Sequence, residues 1–186
     1  GKGAKGKIED KDSYIGNEDF LKENNITISE EYRNKMDKLS KEGKTVIHVI
    51  SEKKLLGSIA LADVIREESR EAIKMLKNLG IKTGMITGDS EDVAAWVAKE
   101  LGLNEYFAKI MPDQKAEKIK LLQSKGQKVA MVGDGINDAP ALTQADLGIA
   151  IGAGTNVAIE SAGIILVKND PRDIPKIFRL SELTYR

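Results

Sequence analysis

The chain has 186 residues, 41% apolar and 31% charged, the balance of an ordinary globular fold with room for one substantial domain and a smaller one. Its 29 basic and 29 acidic residues cancel, which argues against a nucleic-acid or membrane-surface binder, and the lack of cysteine excludes a disulfide framework or a thiolate metal site within it. No apolar run approaches the ~20 residues of a membrane span, no signal peptide is visible, and a start at Gly1-Lys2-Gly3 without Met reads as a fragment or a processed piece.

The first third, residues 1–62, is polar and rich in Lys and Glu. It predicts short strands near Lys7-Ile8 and Ser13-Tyr14-Ile15, then a helix from Ser29, as N-cap, to Lys41, with Gly43 just past its end. Thr45 to Ile50 and Leu56 to Leu61 read as a strand pair around a charged turn. From Asp63 onward helix and strand alternate. Ile73, Leu76 and Leu79 share a helical face flanked by Met75, and Gly80 closes that helix before a buried strand at Thr83 to Ile86. Val93, Trp96, Val97 and Leu101 mark the next helix, with Gly102 after it. Pro112 suits the first position of a helix whose apolar face is Ala116, Ile119 and Leu122. Strands follow at Lys128 to Val132, Leu147 to Ile151 and Gly163 to Val167. This alternation predicts an α/β fold, a parallel sheet with helices on both faces.

Ligands of open parallel sheets bind beyond the carboxyl ends of the strands, so the residues that follow each strand carry the chemistry. Thr87-Gly88-Asp89-Ser90 follows one strand, where a hydroxyl and backbone N–H groups at a helix start make a phosphate cradle or, more blandly, a capping turn. Gly133-Asp134-Gly135-Ile136-Asn137-Asp138-Ala139-Pro140-Ala141-Leu142 follows another. Two carboxylates, Asp134 and Asp138, crowd that strand end with Asn137 between them. A cation must compensate them, and hard oxygen ligands suit Mg²⁺. Between the two runs lies Met111-Pro112-Asp113-Gln114-Lys115. A lysine in a first helical turn is poorly placed for the macrodipole but well placed to reach a phosphoryl group. His48 reads as a packed or surface histidine, Trp96 as core, and Met111 and Met131 as core filler.

These runs, in this order, strongly resemble the haloacid-dehalogenase-like phosphorylation domain of P-type ATPases. The likeness continues through Ala145 to Thr155 and Val157 to Glu160, and ends at Leu183-Thr184-Tyr185-Arg186, where the family enters its next membrane helix. Asn156 departs from the family's usual Asp. The N-terminal third resembles the nucleotide domain of heavy-metal members, nearest to copper and silver exporters. Gly1 and Gly3 match its Gly-x-Gly, Gly16-Asn17 a second nucleotide-contacting turn, and Asp63 with Arg66 the hinge near ribose or phosphates.

The resemblance implies a haloacid-dehalogenase-like Rossmannoid sheet over residues 63–186 and part of an α+β nucleotide-binding domain over residues 1–62. It implies phosphoryl contacts from Thr87, Gly88 and Asn137, charge neutralisation by Lys115, Mg²⁺ held by Asp134 and Asp138, and ATP at Gly1, Gly3, Gly16, Asn17, Asp63 and Arg66. Phosphoryl transfer asks mainly for positioning and charge neutralisation, which such a set supplies. Implied partners are ATP, an actuator domain of the same polypeptide and a heavy-metal cation, first of all copper, bound in a membrane part absent here; nucleic acid is not among them. The implied setting is a cytosolic domain of an integral membrane protein. The family's Asp-Lys-Thr-Gly segment, whose aspartate takes the phosphate, is absent, as is the His-Pro motif of the nucleotide domain, so the chain alone is expected not to form a phosphoenzyme.

Three alternatives stay open at the level of sequence. A soluble phosphatase of the same superfamily would need Asp63 as nucleophile, although Val64-Ile65-Arg66 lacks the second Asp and the Thr such enzymes use. A non-enzymatic Mg²⁺- or nucleotide-binding module would keep Asp134 and Asp138 without the reaction. A naturally truncated regulatory relative would keep the fold alone.

Overall fold

The computed structural model describes residues 3–8, 10–62, 64–134, 137–152 and 160–184. Gly1 and Asp63 lie outside the described residues, as do the middle of the Gly133–Leu142 run and the segment 153–159 that contains Asn156. The chain divides into two compact units, residues 1–64 with 89–97, and residues 65–88 with 98–186.

The first unit is an antiparallel meander with two helices. Strands β1 (Gly3–Ile8), β2 (Lys11–Gly16), β3 (Lys44–Ser51) and β4 (Lys54–Ala62) pair in chain order. Helix α1 (Glu18–Glu23), which sequence reasoning missed, is capped by Asn17, whose side-chain oxygen accepts from the Phe20 N–H at 3.1 Å. Helix α2 (Glu30–Lys41) starts where expected, with Ser29 Oγ accepting from the Tyr32 N–H at 3.2 Å, and Gly43 takes positive φ just beyond its end. The charged turn between β3 and β4 is the two residues Glu52 and Lys53, at φ 49° and 63°. Leu21 and Ile50 are fully buried, and so is His48.

The second unit alternates helix and parallel strand, as the α/β expectation requires. Helix α3 (Glu67–Asn78) precedes β5 (Gly84–Ile86), which pairs in parallel with β6 (Glu105–Phe107). Between them in the chain runs α4 (Glu91–Leu101), whose residues up to Val97 count with the first unit; its buried positions are Val93, Ala94 and Ala98, while Trp96, Val97 and Leu101 are half-buried. Ala94 and Ala98 thus lie deeper than the larger Trp96 and Leu101. Trp96 packs its ring over Gly43, where an added Cβ would collide with it. After β6, Pro112–Gln114 forms a single 3₁₀ turn that leads into α5 (Lys115–Ser124), so Pro112 opens the turn rather than the helix.

Strands β7 (Ala130–Gly133), β8 (Leu147–Ile151) and β9 (Ile164–Leu166) form a three-stranded parallel ladder, with α6 (Ala139–Gln144) between the first two and α7 (Asp173–Thr184) after the last. Among the described residues, no ladder joins β5 to β7. Two apolar clusters hold the unit together. Ile119, Met131, Ala141 and Leu142 pack with Ile86, Val129 and Ala145. Leu76, Ile149 and Ile174 pack with Ile73, Ile81, Val132 and residues of α7. Met131 is core filler as expected, but Met111 is 49% exposed: it sits at the start of the 3₁₀ turn, outside both clusters. No described helix is long and apolar enough to cross a membrane.

Candidate active site

The first apolar cluster sets the position of the polar loops above it. Ile86 ends β5 immediately before Thr87; Met131 lies on β7 three residues before Asp134; Ile119 lies one turn after Lys115 on α5. All three belong to one packed group; the Thr87 and Asp134 motifs leave it at the carboxyl ends of β5 and β7, where sheets of this kind bind ligands, and Lys115 opens the helix that packs into the same group.

Lys115 and Asp138 meet directly. Lys115 Nζ donates to Asp138 Oδ1 at 2.6 Å, and the two side chains are only 17% and 12% exposed. Asp138 also precedes α6, and its carboxylate folds back over Gly133. A Cβ at Gly133 would lie 2.6 Å from Asp138 Cβ and 2.8 Å from its Cγ, so that glycine is required by the close approach of a carboxylate to the strand end. Asp134 is the residue after β7 and is exposed, as is Asn137. Asp134, Asn137 and Asp138 are oxygen donors of the kind a hard cation such as Mg²⁺ takes, and one Asp138 oxygen is already committed to Lys115.

The Thr87 loop is stapled to the segment after β6. The Thr87 N–H donates to the Phe107 carbonyl at 2.9 Å, and the Ile110 N–H donates to the Thr87 carbonyl at 2.9 Å. The Thr87 amide is therefore committed to the sheet edge, and a phosphate cradle here falls to its hydroxyl and to the turn that begins at Gly88. The N-cap of α4 is Ser90, whose Oγ accepts from the Val93 N–H at 3.4 Å.

The remaining expected residues lie elsewhere. Gly3 and Gly16 are register partners across β1 and β2 in the first unit, and Asn17 caps α1 beside them. A Cβ at Gly3 would meet the Ile15 carbonyl at 2.5 Å, and one at Gly16 would meet Phe20 Cγ at 2.5 Å. The Phe20 ring thus closes one face over both glycines. Arg66, the residue before α3, donates through Nη1 to the Asn169 carbonyl at 3.3 Å.

Sequence reasoning missed Asp146 as a structural anchor. Its carboxylate accepts from Lys128 Nζ at 2.8 Å, from the Val129 N–H at 3.0 Å and from Gln123 Nε2 at 3.0 Å, and these bonds, the lysine first, hold it well below the usual carboxylate range. It ties the residue before β7 to the residue before β8. The available signal was a Lys two residues before one strand and an Asp immediately before its neighbour.

Residues 5–146 match the family described as haloacid dehalogenase-like hydrolase. The chain belongs to the haloacid dehalogenase-like hydrolases. This haloacid dehalogenase-like chain is 52% identical over 185 residues to a copper-exporting P-type ATPase B of Archaeoglobus fulgidus, covering 100% of itself and 26% of that protein. It is 45% identical over 186 residues to a silver exporting P-type ATPase of Salmonella typhimurium, covering 22% of it. Among solved structures, a zinc-transporting PIB-type ATPase in its E2.Pi state superposes with a TM-score of 0.71 at 34% identity, over 100% of this chain and 29% of that one. A catalytic domain of the CPx-ATPase CopB-B superposes with a TM-score of 0.66 at 31% identity, over 94% of this chain and 60% of that one. The chain therefore spans about a quarter of the length of the curated relatives it matches.

Proposed function

We propose that this chain is part of the catalytic machinery of a heavy-metal-exporting P-type ATPase, with copper as the exported ion. In the whole protein the γ-phosphoryl of ATP passes to an aspartate carboxylate outside this chain and then to water. The observation that carries the reading is the 2.6 Å Lys115–Asp138 pair beside Asp134, on the cluster that also seats Thr87. The copper and silver names of the 52% and 45% identical relatives support the choice of cargo.

In this reading residues 63–186 carry phosphoryl transfer and residues 1–62 are part of a nucleotide-binding domain. Asp134 and Asp138 would hold Mg²⁺, Asp138 directly or through water. Asp138 also holds the Lys115 ammonium, which would meet the charge that builds on the transferring oxygens. The bound ion would supply charge neutralisation of the phosphate oxygens. The Thr87 hydroxyl, the Gly88 turn and Asn137 orient the phosphoryl group. Among the described residues no ladder joins β5 to β7, whose Ile86 and Met131 share one cluster, and this suits a strand that delivers the acceptor aspartate between Thr87 and Asp134. Phe20 covers one face of Gly3 and Gly16, so ATP reaches that pair from the other face, beside Ala4 and Ile15. Gly1, Asn17, Asp63 and Arg66 are the other residues this reading assigns to the nucleotide. The actuator domain and the membrane part belong to the same polypeptide, which places this region in the cytosol.

The test is acid-stable phosphoenzyme formation from γ-labelled ATP in the whole pump. Lys115→Ala and Asp134→Asn are each expected to cut its rate by ~10²-fold or more. Full labelling in both variants would overturn the reading. Turnover of a small phosphate ester by this chain alone, abolished by Asp63→Asn, would favour the soluble phosphatase instead.

A further inference from the structure

The first unit holds a buried ionisable group that the phosphoryl chemistry does not use. His48, on β3, is 2% exposed. Its Nδ1 lies 2.6 Å from Ser58 Oγ on β4, and Ser58 Oγ lies 2.6 Å from Tyr32 Oη on α2. A hydroxyl carries a single hydrogen, so the direction of this chain follows the proton count. With His48 neutral, Tyr32 donates to Ser58, Ser58 donates to Nδ1, and the ring proton sits on Nε2. With His48 protonated, Nδ1–H donates to Ser58, and the Ser58 hydrogen must leave the ring and turn elsewhere, while the oxygen keeps a second lone pair for the half-buried Tyr32 hydroxyl. The charge state of a buried ring thereby sets the orientation of the hydroxyl that ties β4 to α2.

The same histidine lies in the glycine row. His48 is the register partner of Gly16 on β2 and of Ser58 on β4, and Gly16 is the partner of Gly3 on β1. The chain leaves that row through Asn17 into α1. Glu18, the first residue of α1, is the charged group whose field acts on His48, and Tyr32 is the ionisable group of α2 that faces it through Ser58. Its register partners on the flanking strands, Gly16 and Ser58, carry no charge.

We propose that His48, Ser58 and Tyr32 form a proton-linked clamp that positions the Gly16–Asn17 turn, so that protonating His48 loosens the turn and weakens nucleotide contact there. The second half of this statement rests on the nucleotide reading of that turn. His48 is a positioning residue and touches no substrate. Burial holds its pKa below the ordinary 6.5, with Glu18 pulling the other way, so the clamp is closed at neutral pH. Because the folded value is the lower one, the unfolded chain takes up the proton first on acidification. Stability is full above 6.5 and falls as pH drops below it.

An amide and imidazole NMR titration of the whole chain from neutral pH to about pH 5 tests the clamp, with ATP affinity measured over the same range. The His48 ring is expected to titrate with a midpoint below 6.5, and the Gly16, Asn17 and Tyr32 amides to move with that midpoint. His48→Asn keeps a polar partner for Ser58 but cannot titrate, and is expected to abolish the movement. Ser58→Ala should leave His48 titrating and uncouple Tyr32. ATP affinity should fall severalfold on acidification in the native chain and stay level in His48→Asn. Titration of His48 without movement of Gly16 and Asn17, or an equal loss of ATP affinity in His48→Asn, overturns the clamp. No ATP binding at any pH, with the amides still following His48, upholds the clamp and overturns the nucleotide reading of the turn.

Discussion

The two units bury polarity in opposite ways. In the first, the polar row across the sheet is neutral: two glycines, a histidine held uncharged by burial, and two hydroxyls that satisfy it. In the second, a full ion pair, Lys115 with Asp138, sits at 17% and 12% exposure at a strand end. Burying an ion pair costs several kcal/mol of desolvation that a neutral pair avoids, so a fold keeps one where the charges have work to do. On the proposed function, the contrast separates a region that would present backbone to a nucleotide from a region that manages charge.

The sharpest way to break this comparison is to remove one member of each polar pair. Lys115→Met leaves the Asp138 carboxylate buried and unmatched, and denaturant unfolding should report a loss of about 3–5 kcal/mol, most of it recovered when Asp138→Leu is added. A next-largest effect comes from the glycines at close approaches. Gly133→Ala and Gly16→Ala each drive a methyl into a neighbouring side chain, Asp138 in one and Phe20 in the other, and each should cost about 1–3 kcal/mol. Only Gly133→Ala should also disturb Mg²⁺ binding. Smaller still is the hairpin turn of the first unit. Glu52 and Lys53 both carry positive φ in a two-residue loop that favours Asn-Gly, and Lys53→Gly should raise the unfolding midpoint by the equivalent of about 0.5–1 kcal/mol.

The mildest effect lies on the acid side of the second unit. Hydrogen bonds from the Arg172 side chain and backbone push the Asp170 carboxyl down to about 2. A depressed folded value gives stability that is present above the ordinary 3.8 and is lost as pH falls through 2. In Asp170→Asn the slope of stability against pH in that window should flatten. An unchanged slope would remove Asp170 from the list of acid-sensitive anchors.

Much of this was legible in the sequence because it rests on local chemistry. Ser29 capped its helix as read, the Thr45–Ile50 and Leu56–Leu61 strands paired around their charged turn, and the Lys115 and Asp138 motifs met despite lying 23 residues apart. The missed elements are short and lack periodicity. Helix α1 is six residues long with Leu21 as its buried residue, and β6 is the three residues Glu105–Phe107. Helix α6 is six residues long with Pro140 in its first turn, inside a run read for its carboxylates rather than for its backbone. The stripe of α4 was misjudged because apolar size stood in for burial, and Ala94 and Ala98 went deeper than Trp96 and Leu101. The Lys115–Asp138 bond itself could not be read, since a charge pattern does not say which of two acids a lysine neutralises. Gly16 was read for ligand approach, while its contact with Phe20 depends on the helix that was missed.

The central claim is that Thr87, Lys115, Asp134 and Asp138 surround one cation and phosphoryl site. A Mg²⁺ titration of the chain followed by amide NMR tests it most directly. The account predicts that the Asp134 and Asn137 amides shift together on a single binding curve, and that Asp134→Asn abolishes the curve while His48→Asn leaves it in place. Shifts confined to other surfaces, or a curve that survives Asp134→Asn unchanged, would contradict it.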